Sequence, residues 1–200
     1  MKRIFPRGFS IQLSPGVYLF LSLLILLVPL RWLLAALVSV IIHELFHIGA
    51  ILCFGNPIYG IDIGIDGARI KTQPMSLWQE LLCALAGPLG GLVLLLFARW
   101  LPVLALCAGF HALYNLLPIY PQDGGRVLRC GARLVLCEKW ADTICAIVET
   151  TCLVGVGLMG FYGTFVLKAG IFPIIFAVLF LWRGCKMKIP LQRGEIRGTI

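Results

Sequence analysis

Charge is what this sequence has least of. Of its 200 residues, 13% are Asp, Glu, Lys or Arg, and only nine are acidic. No polar linker, low-complexity stretch or internal repeat interrupts it, and no two of its eight cysteines stand in a CxxC spacing. So little charge excludes a disordered chain, which needs low hydrophobicity and high charge. The missing CxxC excludes a zinc ribbon. The thiols lie mostly inside apolar runs and are read as reduced, small packing residues rather than the disulfides of a secreted domain. Basic residues interleaved with exposed aromatics are also absent, so the formal charge of +8 does not point to nucleic acid.

What is present is apolar. Hydrophobic residues make up 60% of the chain and the mean hydropathy is +0.97. Soluble domains carry about 45–50% apolar and about 25% charged residues. A chain this short has too little interior to hide such a surface from water. Its solvent is therefore lipid.

A bilayer core about 30 Å thick takes about 20 apolar helical residues to cross. Prolines and charges divide the sequence into six candidate spans, at about 11–30, 31–54, 76–98, 100–118, 140–162 and 164–182. The first follows Lys2, Arg3 and Arg7 like a secretory signal. No small-residue cleavage site closes it, so an uncleaved span is expected. With the N-terminus inside, fourteen of the seventeen Lys and Arg fall on inner segments, leaving Arg31, Arg99 and Lys168 outside. That asymmetry predicts both termini in the cytoplasm of a multi-pass cell-membrane protein. Between the second and third spans, isoleucines alternate with small or polar residues from Gly60 to Lys71 around Asp66-Gly67, the pattern of a β-hairpin. The expected fold is an all-α polytopic membrane protein of about six transmembrane helices with one short membrane-associated hairpin. Residues 1–182 form the membrane domain and 183–200 a short basic tail.

The second span holds His43-Glu44-Leu45-Phe46-His47. Histidines four apart on a helix project from one face, so both imidazoles can reach one metal, and Glu44 can take a proton from water there. Ionisable groups this deep in a membrane are costly and mark function. Tetrahedral zinc needs a third protein ligand and keeps the fourth position for water. Two candidates are open. One is Asp123, beyond Asn115-Leu116-Leu117-Pro118 and Pro121-Gln122, where two prolines stop regular helix and Gly124-Gly125 permit a tight turn. The other is His111, one turn before Asn115. Depth brings both motifs together. His47 is 16 residues past Arg31 and Asn115 is 16 past Arg99, about 24 Å in each case. His43 and His111 share a level about 6 Å nearer the outer surface.

His43-Glu44-Leu45-Phe46-His47, Asn115-Leu116-Leu117-Pro118 and Pro121-Gln122-Asp123-Gly124-Gly125 together resemble the site-2 protease family of intramembrane zinc metalloproteases. Ala86-Gly87-Pro88-Leu89 resembles the glycine-proline element of its third core segment. The resemblance spans about residues 30–130. It implies one zinc ion on His43, His47 and Asp123, Glu44 as general base for a zinc-activated water, and Asn115 near the scissile bond. It also implies a hairpin that presents an edge to unwound substrate. Six spans, an inner N-terminus and no inserted PDZ domain are closest to the bacterial stage IV sporulation protein FB branch. That branch often carries a C-terminal CBS domain, whereas here a basic tail follows Trp182.

The expected partners are the bilayer, a membrane-embedded or membrane-adjacent protein substrate and a membrane regulator. The alternative is a non-proteolytic metal-binding regulator or chaperone. A transporter would show two matching halves with broken helices, and none appear. Gly87 and Gly91 are read as a close helix contact, and Glu149 as an intramembrane carboxylate needing a partner. Cys130, Cys137, Cys145 and Cys152 are read as a helical stripe.

Overall fold

The computed structural model describes residues 9–64, 67–168, 170, 171, 173, 174, 177, 178 and 181. The basic tail, Lys2, Arg3, Arg7, Asp66 and much of the sixth expected span lie outside these residues. The described residues of that span numbered 173, 174, 177, 178 and 181 are helical. The chain divides into two compact units, one running to Asn115 and the other starting at Leu116.

The first unit opens with β1 (Ser10–Leu13) and α1 (Pro15–Leu27). The expected first span is thus shorter than read, with a strand in its first turn and Pro15 starting the helix, where a residue without an N–H loses no helical hydrogen bond. Helix α2 (Leu30–Cys53) runs 24 residues, about 36 Å. It ends where Gly55 takes φ 71°, with Gly55 N–H donating to Leu52 and Asn56 N–H to Ile51. Such a left-handed glycine closes a helix by capping its last carbonyls.

Strands β2 (Ile58–Gly64) and β3 (Gly67–Thr72) form the expected hairpin, with Ile61 opposite Ile70 and Ile63 opposite Ala68. Gly67 has φ 114°, a turn conformation that favours glycine. The hairpin does not stand alone. β1 pairs in parallel with β2, Ser10 against Gly60 and Leu13 against Ile63, making a three-stranded sheet in the order β1-β2-β3. The strands meet so closely that a Cβ on Gly60 would come 2.8 Å from the Ser10 carbonyl oxygen. Ile51, Ile58, Ile70 and Cys83 form a fully buried cluster tying the sheet to α2 and to α3 (Leu77–Leu95).

Helix α3 begins with a reciprocal cap. Gln79 N–H donates to the Ser76 hydroxyl, and Ser76 N–H to the Gln79 side chain. Helix α4 (Pro102–Asn115) buries a stripe of Ala105, Ala108 and Ala112. A Cβ on Gly91 would lie 2.9 Å from that of Ala112, so small residues bring the two backbones together. Leu26 on α1 and Phe110 on α4 are exposed, as fits helices solvated by lipid.

In the second unit, α5 (Asp123–Val135) and α6 (Glu138–Phe165) are joined by Leu136 and Cys137. Helix α5 corrects the reading of Gly124-Gly125 as a turn. Both glycines are helical, and neither is among the glycines with positive φ. The four-cysteine stripe is also corrected: Cys130 lies on α5, Cys145 and Cys152 on α6, and Cys137 is the exposed cap between them. Among the described residues every cysteine is a free thiol. Among the described residues three helices, α2, α3 and α6, are long and apolar enough to cross a membrane, while α1 and α4 are shorter.

Candidate metal centre

The helical repeat of α2 sorts the motif residues by face. His43 and His47 are buried at 2% and 3% exposure, Glu44 is half-buried, and Leu45 is exposed. The two Nε2 atoms stand 3.2 Å apart. His47 Nδ1 donates to the carbonyl oxygen of Cys83 on α3 at 2.7 Å. That bond places the ring proton on Nδ1 and turns Nε2 toward His43, the arrangement that orients an imidazole ligand. Two nitrogens on one tetrahedral zinc, each about 2.0–2.1 Å from it, sit about 3.3 Å apart. The pair fits a shared ion.

Gly87 lies directly in front of both nitrogens. A Cβ there would collide with the His47 ring and come 2.7 Å from His43 Nε2. Position 87 must therefore be glycine if the space beside the nitrogens is to stay open. Gly90 is packed against Phe46 and Gly91 against α4, so the small residues of α3 serve three different neighbours.

The third histidine of the chain joins the first two. The His111 ring on α4 is 4.6 Å from that of His43, tilted by 63°. One turn on, Asn115 Nδ2 donates to the His111 carbonyl oxygen at 3.0 Å. A primary amide has two N–H groups. The bond to His111 ties the Asn115 amide back to its own helix.

In the second unit Asp123 is the first residue of α5 and is buried at 7% exposure, beside buried Gln122. A carboxylate suits the positive end of a helix. The segment 116–122 leading to it folds back tightly, with Ile119 N–H donating to Leu117 and Gln122 N–H to Ile119. Cβ atoms on Gly124 and Gly125 would strike the main chain of Leu116 and of Ile119–Tyr120. The glycine pair is there for close approach.

Glu149 on α6 has the partner its depth demands: Arg129 Nη2 donates to its Oε1 at 3.1 Å. The same guanidinium lies over the Tyr120 ring at 4.9 Å from its centre. Sequence reasoning missed the Cys83 carbonyl, which has no side-chain signature, and Arg129, which sits on another helix.

Neither a family model nor a curated protein matches the chain. Among solved structures it is similar to the Site-2 Protease from Methanocaldococcus jannaschii, with a TM-score of 0.63 and 26% sequence identity over 91% of each chain.

Proposed function

We propose that this protein is an intramembrane zinc metalloendopeptidase that cuts a membrane-embedded or membrane-adjacent protein near the cytoplasmic leaflet. The observation that carries the reading is the histidine pair. Two buried imidazole nitrogens 3.2 Å apart lie on a helix apolar enough to cross a membrane. The likeness to a site-2 protease supports the same chemistry. The Lys and Arg distribution supports two cytoplasmic termini. The six expected spans, the expected inner N-terminus and the absence of an inserted PDZ domain from the sequence support kinship with the stage IV sporulation protein FB branch.

His43 and His47 would each contribute Nε2, and Asp123 a carboxylate oxygen. Two imidazole nitrogens and a carboxylate are a donor set that suits zinc, with the fourth position left for water. A carboxylate offsets part of the ion's charge, which lowers the cost of keeping it in a medium of low dielectric. A bound zinc ion supplies Lewis acidity, turning water into a nucleophile near neutral pH and polarising a carbonyl.

Glu44, next to His43 and half-buried, takes the proton of the attacking water and returns it to the leaving amine. The second N–H of the Asn115 amide donates to the peptide oxygen as negative charge grows on it. Peptide bonds in a helix are shielded, so the substrate has to unwind first. The outer edge of β3 offers main-chain groups to such a strand.

The test uses detergent-purified protein, a fluorescent single-span membrane substrate and the Glu44→Gln variant. Cleavage should fall at least about a hundredfold, the scale of a lost general base, with metal content unchanged. Undiminished cleavage would refute the assignment.

A further inference from the structure

The segment that delivers Asp123 is irregular, and something has to hold it. On one side Gly124 and Gly125 press against its main chain. On the other, the Arg129 guanidinium covers the Tyr120 ring. Arg129 is itself held at 3.1 Å by Glu149, whose side chain is 6% exposed, while that of Arg129 is 20% exposed. A linkage thus runs from α6 through Arg129 to Tyr120, three residues before Asp123. Little slack separates them, because Pro121 has a fixed φ and Gln122 is buried and bonded to Ile119.

Stability is a poor reason for this pair. The cost of desolvating two charges nearly cancels their attraction in a buried setting. Geometry is a better reason. A guanidinium is planar, can lie flat on an aromatic face and still donate from its edge, which an ammonium cannot do. We propose that Arg129 is a positioning residue: braced by Glu149 and stacked on Tyr120, it sets the segment 120–123 so that Asp123 presents its carboxylate to the metal. This rests on the reading of Asp123 as a ligand.

The experiment loads full-length, detergent-purified protein with Co²⁺ and follows the visible absorption of the bound ion, its affinity and thermal unfolding. Outer partners of metal ligands are worth about 10–100-fold in affinity. Arg129→Lys should therefore weaken Co²⁺ binding about tenfold or more and shift the absorption bands, while Tyr120→Phe leaves both unchanged. Exchanging the charges, Arg129→Glu with Glu149→Arg, should restore the unfolding temperature without restoring affinity or spectrum, since no cation then covers Tyr120. Recovery of all three readouts by the exchange would reduce the pair to a structural brace and overturn the proposal. Tyr120→Leu gives a second route should the exchanged protein not fold: it should unfold near the parent temperature but bind Co²⁺ at least tenfold more weakly, and parental binding overturns the proposal. Asp123→Asn separates the two levels. If it binds Co²⁺ like the parent, the ligand reading fails; if it loses Co²⁺ while Arg129→Lys does not, only the positioning role fails.

Discussion

The carbonyl oxygen of Cys83 accepts the Nδ1 proton of His47 at 2.7 Å, so the orientation of a candidate ligand is set by the main chain of a neighbouring helix. A side-chain change at position 83 leaves that acceptor in place. Cys83→Ala should keep zinc within about twofold of the parent. Its cost is a small cavity in the Ile51, Ile58 and Ile70 cluster, about 1 kcal/mol. Metal analysis beside thermal unfolding checks this, and zinc loss without unfolding would mean that the thiol itself matters.

Gly87→Ala should do the reverse. Its methyl group would enter the space in front of both histidine nitrogens. Zinc affinity should fall about 10–100-fold, as for disturbed ligand geometry. Overpacking should cost about 1–3 kcal/mol. Competition with a coloured chelator reads the affinity, and stoichiometric tight zinc in this variant would count against a metal at the pair.

The third ligand can be decided by exchanging its two candidates. Asp123→Asn should sharply reduce zinc retention and abolish cleavage, while His111→Ala leaves zinc near one per chain. The His111 ring packs on His43 and so positions it, which is a weaker demand than coordination. Elemental analysis giving the opposite order would assign the ligand to His111.

Two glycines of α5 should respond with opposite signs. Gly124 has no room for a methyl group, which would strike the Leu116 main chain. Gly124→Ala should destabilise by about 1–3 kcal/mol. Gly131 has nothing within 4 Å of its missing Cβ, and Gly131→Ala should stabilise by up to about 1 kcal/mol through helix propensity. Unfolding temperatures of the two variants measure the contrast.

Where a pattern is local, the sequence showed it. Spacing alone put His43 and His47 on one face, alternation marked β2 and β3, and the depth argument set His43 level with His111, whose rings do touch. What it hid depends on distant pairing. β1 has four residues, too few to show a period, and becomes a strand only because β2 lies beside it. The start of α5 holds two glycines, which favour loops unless packing demands their small size. The partner of Glu149 stands twenty residues back on another helix, where no helical repeat leads.

The parallel pairing of β1 with β2 also constrains how the chain can be threaded through a bilayer. Strands that share hydrogen bonds must emerge on the same side, and the two are separated in sequence by α1 and α2. If α2 crosses, α1 has to carry the chain back across, although it has only 13 residues and would require the membrane to thin around it. The count of positive charges and the sheet thus constrain the same path through unrelated forces, one acting on flanking Lys and Arg during insertion, the other on the folded product. Single cysteines introduced by Gln12→Cys and Asp62→Cys should react with a membrane-impermeant maleimide from the same face of sealed vesicles, whichever face that is.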